Sequence, residues 1–210
     1  SIIQKIGNMV KIKPSRRIRP PRKYAAEVAA RPYDVLNSQE AKKEATEKSL
    51  LHIIKPEIDF DPIADEHCEE VYRKAVENFR CWRERGWLVQ DDEEKYYVYA
   101  QTMDGRTQYG LVAACHFDDY VRGRIKKHEL TRPDKEEDRM IHVRNQNANI
   151  EPVFFSYPAN AEMDMIIRGV VENNPPEYDF TAADGFGHRF WVIDDQEIQD
   201  SIAYAEQNKN

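Results

Sequence analysis

The sequence predicts an α/β or α+β fold: a mixed sheet with two hairpins and flanking helices. Three observations predict it. Short apolar runs alternate with longer segments of helical periodicity along the 210 residues. Asp104-Gly105 separates two strand-like runs, and this dipeptide suits a hairpin turn because both turn positions need a positive φ. A second turn, Asp184-Gly185 with Gly187, separates another such pair.

The elements follow in chain order. Residues 1–8 read as a leader before Met9, a late start codon or an expression remnant. Val10–Pro14 alternates apolar and basic residues, which suits a short strand. Prolines at 20, 21 and 32 leave room for only a helical turn or two over Tyr24–Ala30. Asn37 or Ser38 caps the next helix, with Glu40 three residues past Asn37 as in a capping box, and that helix runs through about Lys48. Leu50–Ile54 is a compact apolar run and reads as a buried strand, followed by a loop over 55–64.

Cys68, Val71, Tyr72, Ala75, Phe79 and Trp82 mark the apolar face of a long helix, and Gly86 sits just past it as a C-cap. Tyr96–Thr102 and Thr107–Phe117 form the first hairpin. Its second strand is apolar almost throughout, so it belongs in the middle of its sheet. Asp134 to about Gln146 reads as a helix after Pro133, and Pro152–Tyr157 as another buried strand. Ala161–Glu172 is a helix stopped by Asn173, Asn174, Pro175 and Pro176. Tyr178–Ala182 and Arg189–Asp194 form the second hairpin, Asp195–Glu206 the last helix, and 207–210 a tail. On this reading residues 9–206 make a single α/β domain.

Hydrophobic residues are 40% and charged residues 33%, enough for a core with a well-solvated surface. No apolar run approaches the roughly 18 residues that cross a bilayer, and the N-terminal stretch lacks the apolar core of a secretory signal. Three widely spaced cysteines without a CxxC indicate neither a zinc site nor a disulfide framework. The expectation is a cytoplasmic protein with Cys68, Cys81 and Cys115 as core thiols.

The net charge of −7 disfavours nucleic acid as a partner. The charge is uneven, however. Residues 1–23 contain Lys5, Lys11, Lys13, Arg16, Arg17, Arg19, Arg22 and Lys23, with no acid. Such a segment can cradle an anion, or serve as a solvated edge strand that resists aggregation. No P-loop, GxGxxG or HExxH occurs, so the ordinary nucleotide-binding and zinc-protease signatures are absent.

The densest chemistry lies in KKHELTRPDKEED, residues 126–138. His128 changes charge near neutral pH, and Glu129 beside it can act as a general base. Lys126 and Lys127 with Arg132 can neutralise phosphate oxygens, and Thr131 can donate a hydroxyl. Asp138 can orient a base or hold a divalent ion such as Mg. These are the parts that phosphoryl transfer uses. The bland alternative is a solvated loop leading into a helix whose first-turn acids suit the dipole. PYDVLNS, residues 32–38, offers Asp34, Asn37 and Ser38 at a helix start, which attracts anions but equally makes an ordinary cap. ADGFGH, residues 183–188, can show backbone amides to a ligand, although a plain hairpin accounts for it more simply.

IKPSRRIRPPRKYAAEVAARPYDVLNSQEA, HELTRPDKEEDR and the distal IEPVFFSY resemble the N-terminal half of a bacterial and archaeal family, the domain-of-unknown-function family numbered one thousand and fifteen. The resemblance runs from Met9 to about Tyr204. Members are usually about twice this length, and some are labelled ParB-like for an Asp-Gly-His-His-Arg motif in their C-terminal half. That motif superfamily includes serine kinases and DNA-partition proteins. The resemblance therefore implies phosphoryl transfer to a small hydroxyl substrate, with a phosphate donor and a divalent cation, in which this chain is an incomplete half. His128, Glu129 and Thr131 match the family's HE-T signature, Asp138 and Arg139 its DR, and Tyr33, Asp34, Asn37 and Ser38 its YDV segment. ADGFGHR departs from the Asp-Gly-His-His-Arg pattern by two residues between Gly185 and His188, and no role is carried over to it.

Three functional readings result. In the first, Arg16, Arg19, Arg22 and Lys126 hold a phosphate group, and His128 or Glu129 takes the proton of an accepting hydroxyl. In the second, the chain is a ParB-like binding or regulatory module without chemistry. In the third, it is an interface domain that works with the family's missing half and pairs with itself when that half is absent.

Overall fold

The computed structural model describes residues 3–6, 12–31, 35–115, 125–127, 154–156 and 161–207. The strands, in chain order, are β1 Ile3–Ile6, β2 Ile12–Lys13, β3 Ile18–Arg19, β4 Val89–Gln90, β5 Tyr96–Met103, β6 Arg106–Val112, β7 Ala114–Cys115, β8 Ile125–Lys127, β9 Phe154–Ser156, β10 Tyr178–Thr181 and β11 Gly187–Ile193. The helices are α1 Ala25–Val28, α2 Ser38–Glu44, α3 Leu51–Ile54, α4 Glu69–Glu84, α5 Ala161–Asn173 and α6 Gln196–Gln207. The fold is α+β with a mixed sheet, as the sequence predicts. The described residues fall into two compact units. One draws on residues 1–17, 91–130 and 152–210, the other on 18–90.

The first unit is built on a seven-stranded sheet of order β10-β11-β5-β6-β9-β1-β8. Both expected hairpins are there. β5 and β6 join through Asp104 (φ 52°) and Gly105 (φ 75°), and β10 and β11 through a turn with Gly185 at φ 88°. β1 and β9 run parallel, while the other neighbours are antiparallel, which makes the sheet mixed. β6 is the fourth strand of seven, in the central place its apolar run requires. Ile3–Ile6, within the stretch read as a leader, are strand β1.

Strand periodicity sorts the core of this unit into two faces. Tyr96, Val98, Ala100, Leu111, Trp191 and Ile193 pack with Met163, Ile167 and Val170 of α5 and with Ile202 and Ala205 of α6. The Trp191 indole N–H, buried there, donates to the carbonyl of Asn174 at 3.0 Å. On the opposite face Tyr97, Val112 and Phe190 are buried, with Tyr99, Tyr178 and Val192 against them. The Tyr97 and Tyr178 rings both stack on Phe190, at 5.3 and 5.2 Å.

The second unit is helical apart from the β3–β4 pair. α4 buries Val71, Tyr72, Ala75, Phe79 and Trp82 along one stripe, as its periodicity predicts, and Gly86 (φ 72°) closes it. Asn37 caps α2: its Oδ1 accepts from the Glu40 N–H at 2.8 Å, and its own N–H donates to Glu40 Oε1 at 3.2 Å. α2 ends at Glu44, four residues short of expectation.

Three expectations change. Leu50–Ile54 is not a strand; Leu51–Ile54 form α3, whose first N–H is taken by Ser49 Oγ at 3.2 Å. A short apolar run carries no period, so capping chemistry decided it. Cys68 and Cys81 are half-buried rather than core thiols, and Cys68 is the residue before α4 rather than part of its apolar stripe. The helix expected over 134–146 lies outside the described residues, and among those described no helix is long and apolar enough to cross a membrane.

Candidate functional site

Of the candidate arginines, Arg16 lies in the first unit, on backbone that is pinned from the side. Ser15 and Lys95 exchange both main-chain hydrogen bonds (2.9 and 2.8 Å), and the Asp91 N–H donates to the carbonyl of Arg17 at 2.8 Å. The Tyr97 hydroxyl donates to Asp91 Oδ2 at 2.5 Å and accepts from the Arg17 N–H at 3.3 Å. Burial pushes the Tyr97 phenol well above its usual range, and the Asp91 carboxylate adds to the shift, so the hydroxyl stays protonated and keeps donating. Arg16 is exposed and its Nε donates to the Asp91 carbonyl at 3.1 Å. Arg19 lies on β3 opposite Val89, and Arg22 opens a 3₁₀ turn over Arg22–Tyr24.

The second unit, which holds Arg19 and Arg22 but not Arg16, gathers cations that local sequence patterns do not reveal. Ile18 and Tyr24 pack against a core of Val28, Phe79, Trp82, Trp87 and Leu88. Trp87 carries two cations on its ring: Lys48 Nζ at 5.0 Å and Arg85 Cζ at 5.0 Å. Tyr24 carries Lys23 Nζ at 4.9 Å and Lys48 Nζ at 5.5 Å. Lys48 is balanced by Glu27 at 3.5 Å and Glu47 at 3.9 Å. Lys23 and Arg85 are exposed, and among the described residues neither has a carboxylate within ion-pair distance. Lys23, Lys48 and Arg85 therefore surround two aromatic side chains whose rings already hold cations. The field of these cations is positive, and the rings are already covered.

The model of a family described as "Protein of unknown function (DUF1015)" matches residues 12–209. The chain belongs to that family. No curated protein and no solved structure matches it.

The other candidate residues of the sequence are placed as follows. Asp34, His128, Glu129, Thr131, Asp138 and Arg139 lie outside the described residues. Lys126 is in β8, an edge strand of the large sheet, paired with Lys5 of β1. The side chain of Asn37 is engaged in its capping box. Ser38 faces the interior of its unit, where its hydroxyl donates to Glu57 Oε1 at 2.8 Å. Glu57 in turn meets Lys55 Nζ at 3.3 Å, and both are almost fully buried, at 2% and 3% exposure. Glu66 adds a second carboxylate 3.8 Å from Lys55. This pairing satisfies two charges the fold has enclosed.

A second polar network lies close by in the same unit. His52 Nδ1 meets Asp59 Oδ1, and Asn78 donates from its amide to Asp59 Oδ2 at 2.8 Å and to the His52 carbonyl at 2.7 Å. Both networks are internal supports of the helical unit.

In the first unit, ADGFGH is a hairpin turn. Its amides are used internally, from Gly185 to the Ala182 carbonyl at 2.9 Å and from Phe186 to Asp184 Oδ1 at 3.1 Å. At its end, His188 Nδ1 is hydrogen-bonded to the Tyr99 hydroxyl. Burial lowers the His188 pKa, partly opposed by Asp184, and leaves the imidazole neutral at pH 7; burial pushes the Tyr99 phenol up. Among the described residues no group of three or more His, Cys, Asp or Glu is placed to hold a metal ion.

Proposed function

We propose that this DUF1015 member binds a phosphate-bearing small molecule and serves phosphoryl transfer to a small hydroxyl substrate such as free serine. One observation supports the reading above the rest: the gathering of Lys23, Lys48 and Arg85 on the rings of Tyr24 and Trp87, with Arg22 beside Lys23 in the same 3₁₀ turn. Phosphoryl transfer rests on positioning and on neutralising charge over the phosphate oxygens, with little covalent work for the protein. Arginine forks on fixed backbone suit that task, because less freedom is lost per hydrogen bond formed. On this reading Arg22 and Arg85 are the main phosphate contacts. The proton-accepting role falls to His128 or Glu129, and a divalent ion such as Mg to Asp138, both from the family signatures.

The test is ³¹P NMR of a full-length relative from the same family, with the residues named by their positions in this chain, incubated with free serine, Mg²⁺ and either a nucleoside triphosphate or pyrophosphate. A new phosphomonoester resonance is expected, and Glu129→Gln should slow its growth by roughly a hundredfold or more, as removal of a general base does. No such resonance with either donor contradicts the catalytic reading. Salt-steep binding to duplex DNA in its place favours the ParB-like module.

A further inference from the structure

The loop between α2 and α3 ties an internal histidine to the cation cluster. It carries Lys48, whose Nζ lies 5.0 Å from the Trp87 ring centre and 5.5 Å from that of Tyr24. Among the described residues two side chains donate to carbonyls of this loop. Trp82 Nε1 donates to the Lys48 carbonyl at 3.0 Å. His52 Nε2 donates to the Thr46 carbonyl at 2.8 Å. The Thr46 carbonyl also accepts the Ser49 N–H at 3.1 Å.

The half-buried His52 ring is faced from each element packed on it. Asp59, at the end of the 3₁₀ turn Pro56–Asp59, accepts from Nδ1. α4 brings the Trp82 ring to 5.7 Å, and the charge of its Lys74 opposes the imidazolium. Lys74 is itself 3.8 Å from Glu77. Asn78, also of α4, donates to Asp59 Oδ2 and to the His52 carbonyl.

Both ring nitrogens thus face acceptors, and the ring needs two protons to keep both contacts. When one proton leaves, the ionised Asp59 holds the other, because a hydrogen bond to a carboxylate is stronger than one to a carbonyl. Nδ1 stays protonated and Nε2 is bared. Its lone pair then opposes the Thr46 oxygen, and an attraction at 2.8 Å turns into a repulsion. Trp82 remains as the side-chain tether of the loop.

We propose that the proton on His52 Nε2 is a switch that holds the 45–49 loop, and with it the Lys48 ammonium, in place against Tyr24 and Trp87. Loss of that proton releases Thr46 and loosens Lys48. With the proton in place the cation cluster is pre-organised for an anion; without it, binding has to order the loop again and is weaker. This last consequence rests on the phosphate reading above, whereas the coupling of His52 to the loop does not. By linkage, an anion on the cluster also tightens the hold of His52 on its proton.

The test follows ¹H–¹⁵N spectra of the chain from pH 5 to 9. The amides of residues 45–49 should titrate together with the His52 ring, at a midpoint above 6.5. His52→Gln should remove that titration. Asp59→Asn takes away the carboxylate that favours the imidazolium and should move the midpoint to lower pH. Calorimetry with pyrophosphate at pH 5 and pH 9 reads the consequence. Pyrophosphate itself changes charge over this range, so the wild-type affinity is divided by that of His52→Gln, and the ratio should fall about fivefold from the acid to the alkaline value. Loop amides that stay still while the ring titrates, or a loop titration that survives His52→Gln, overturns the switch. A ratio equal at both pH values contradicts its link to the anion surface. Absent pyrophosphate binding at both contradicts the phosphate reading, while loop amides that titrate with the ring still support the switch.

Discussion

Nδ1 of His52 donates to Oδ1 of Asp59 at 2.5 Å, while Nε2 of the same ring donates to the carbonyl of Thr46 at 2.8 Å. Both partners are acceptors without a proton to give, so the ring that fits between them is the imidazolium. The hydrogen bond to Asp59 raises the His52 pKa above 6.5 despite burial. Burial pushes the Asp59 carboxyl up, but the hydrogen bonds from His52 and Asn78 outweigh it and hold the group below 3.8.

The helical unit should therefore be most stable in mildly acid solution. The His52 contribution is complete below about pH 6.5 and is lost as pH rises through its raised folded value. The Asp59 contribution is present above about pH 3.8 and is lost as pH falls through its lowered folded value. Urea midpoints from pH 5 to 9 should fall on the alkaline side by the equivalent of about 1 kcal/mol. His52→Gln should flatten that slope, and an unchanged slope removes the imidazolium from the account.

The buried Lys55–Glu57 pair predicts an asymmetry. Glu57→Ala leaves Lys55 enclosed with only the more distant Glu66, and should destabilise by about 3–5 kcal/mol. Replacing both residues with aliphatic side chains of similar size should cost far less, since no lone charge remains. Chemical denaturation of the single and double variants measures the difference. Equal costs would mean the pair is not isolated from water.

Gly169 lies inside α5 with open space where its Cβ would be. Gly169→Ala should raise stability by up to about 1 kcal/mol through helix propensity alone. A thermal melt that shows destabilisation would mean the space beside Gly169 is not open in solution.

Much of the fold was legible because local chemistry and tertiary need agree. Asn37 with Glu40 announced a capping box, Asp104-Gly105 a hairpin, and the apolar run of β6 a central strand. Leu50–Ile54 misled because a short apolar run has no period, and the Ser49 hydroxyl that opens α3 lies just outside it. The basic cluster was half legible. Lys23 stands in an acid-free segment, but Lys48, Arg85 and Trp87 gather with it and Tyr24 only through packing across the helical unit. Asn78 was the missed signal: a polar residue on the buried stripe of α4 needs hydrogen-bond partners, here the Asp59 carboxylate and the His52 carbonyl.

Calorimetric titration of the chain with pyrophosphate, beside an Arg22→Glu/Arg85→Glu variant of unchanged circular dichroism, bears most directly on the anion surface. Saturable, salt-sensitive binding that weakens at least about tenfold in the variant is the expected result. Absent binding at low salt, or binding that the two reversals leave untouched, contradicts it.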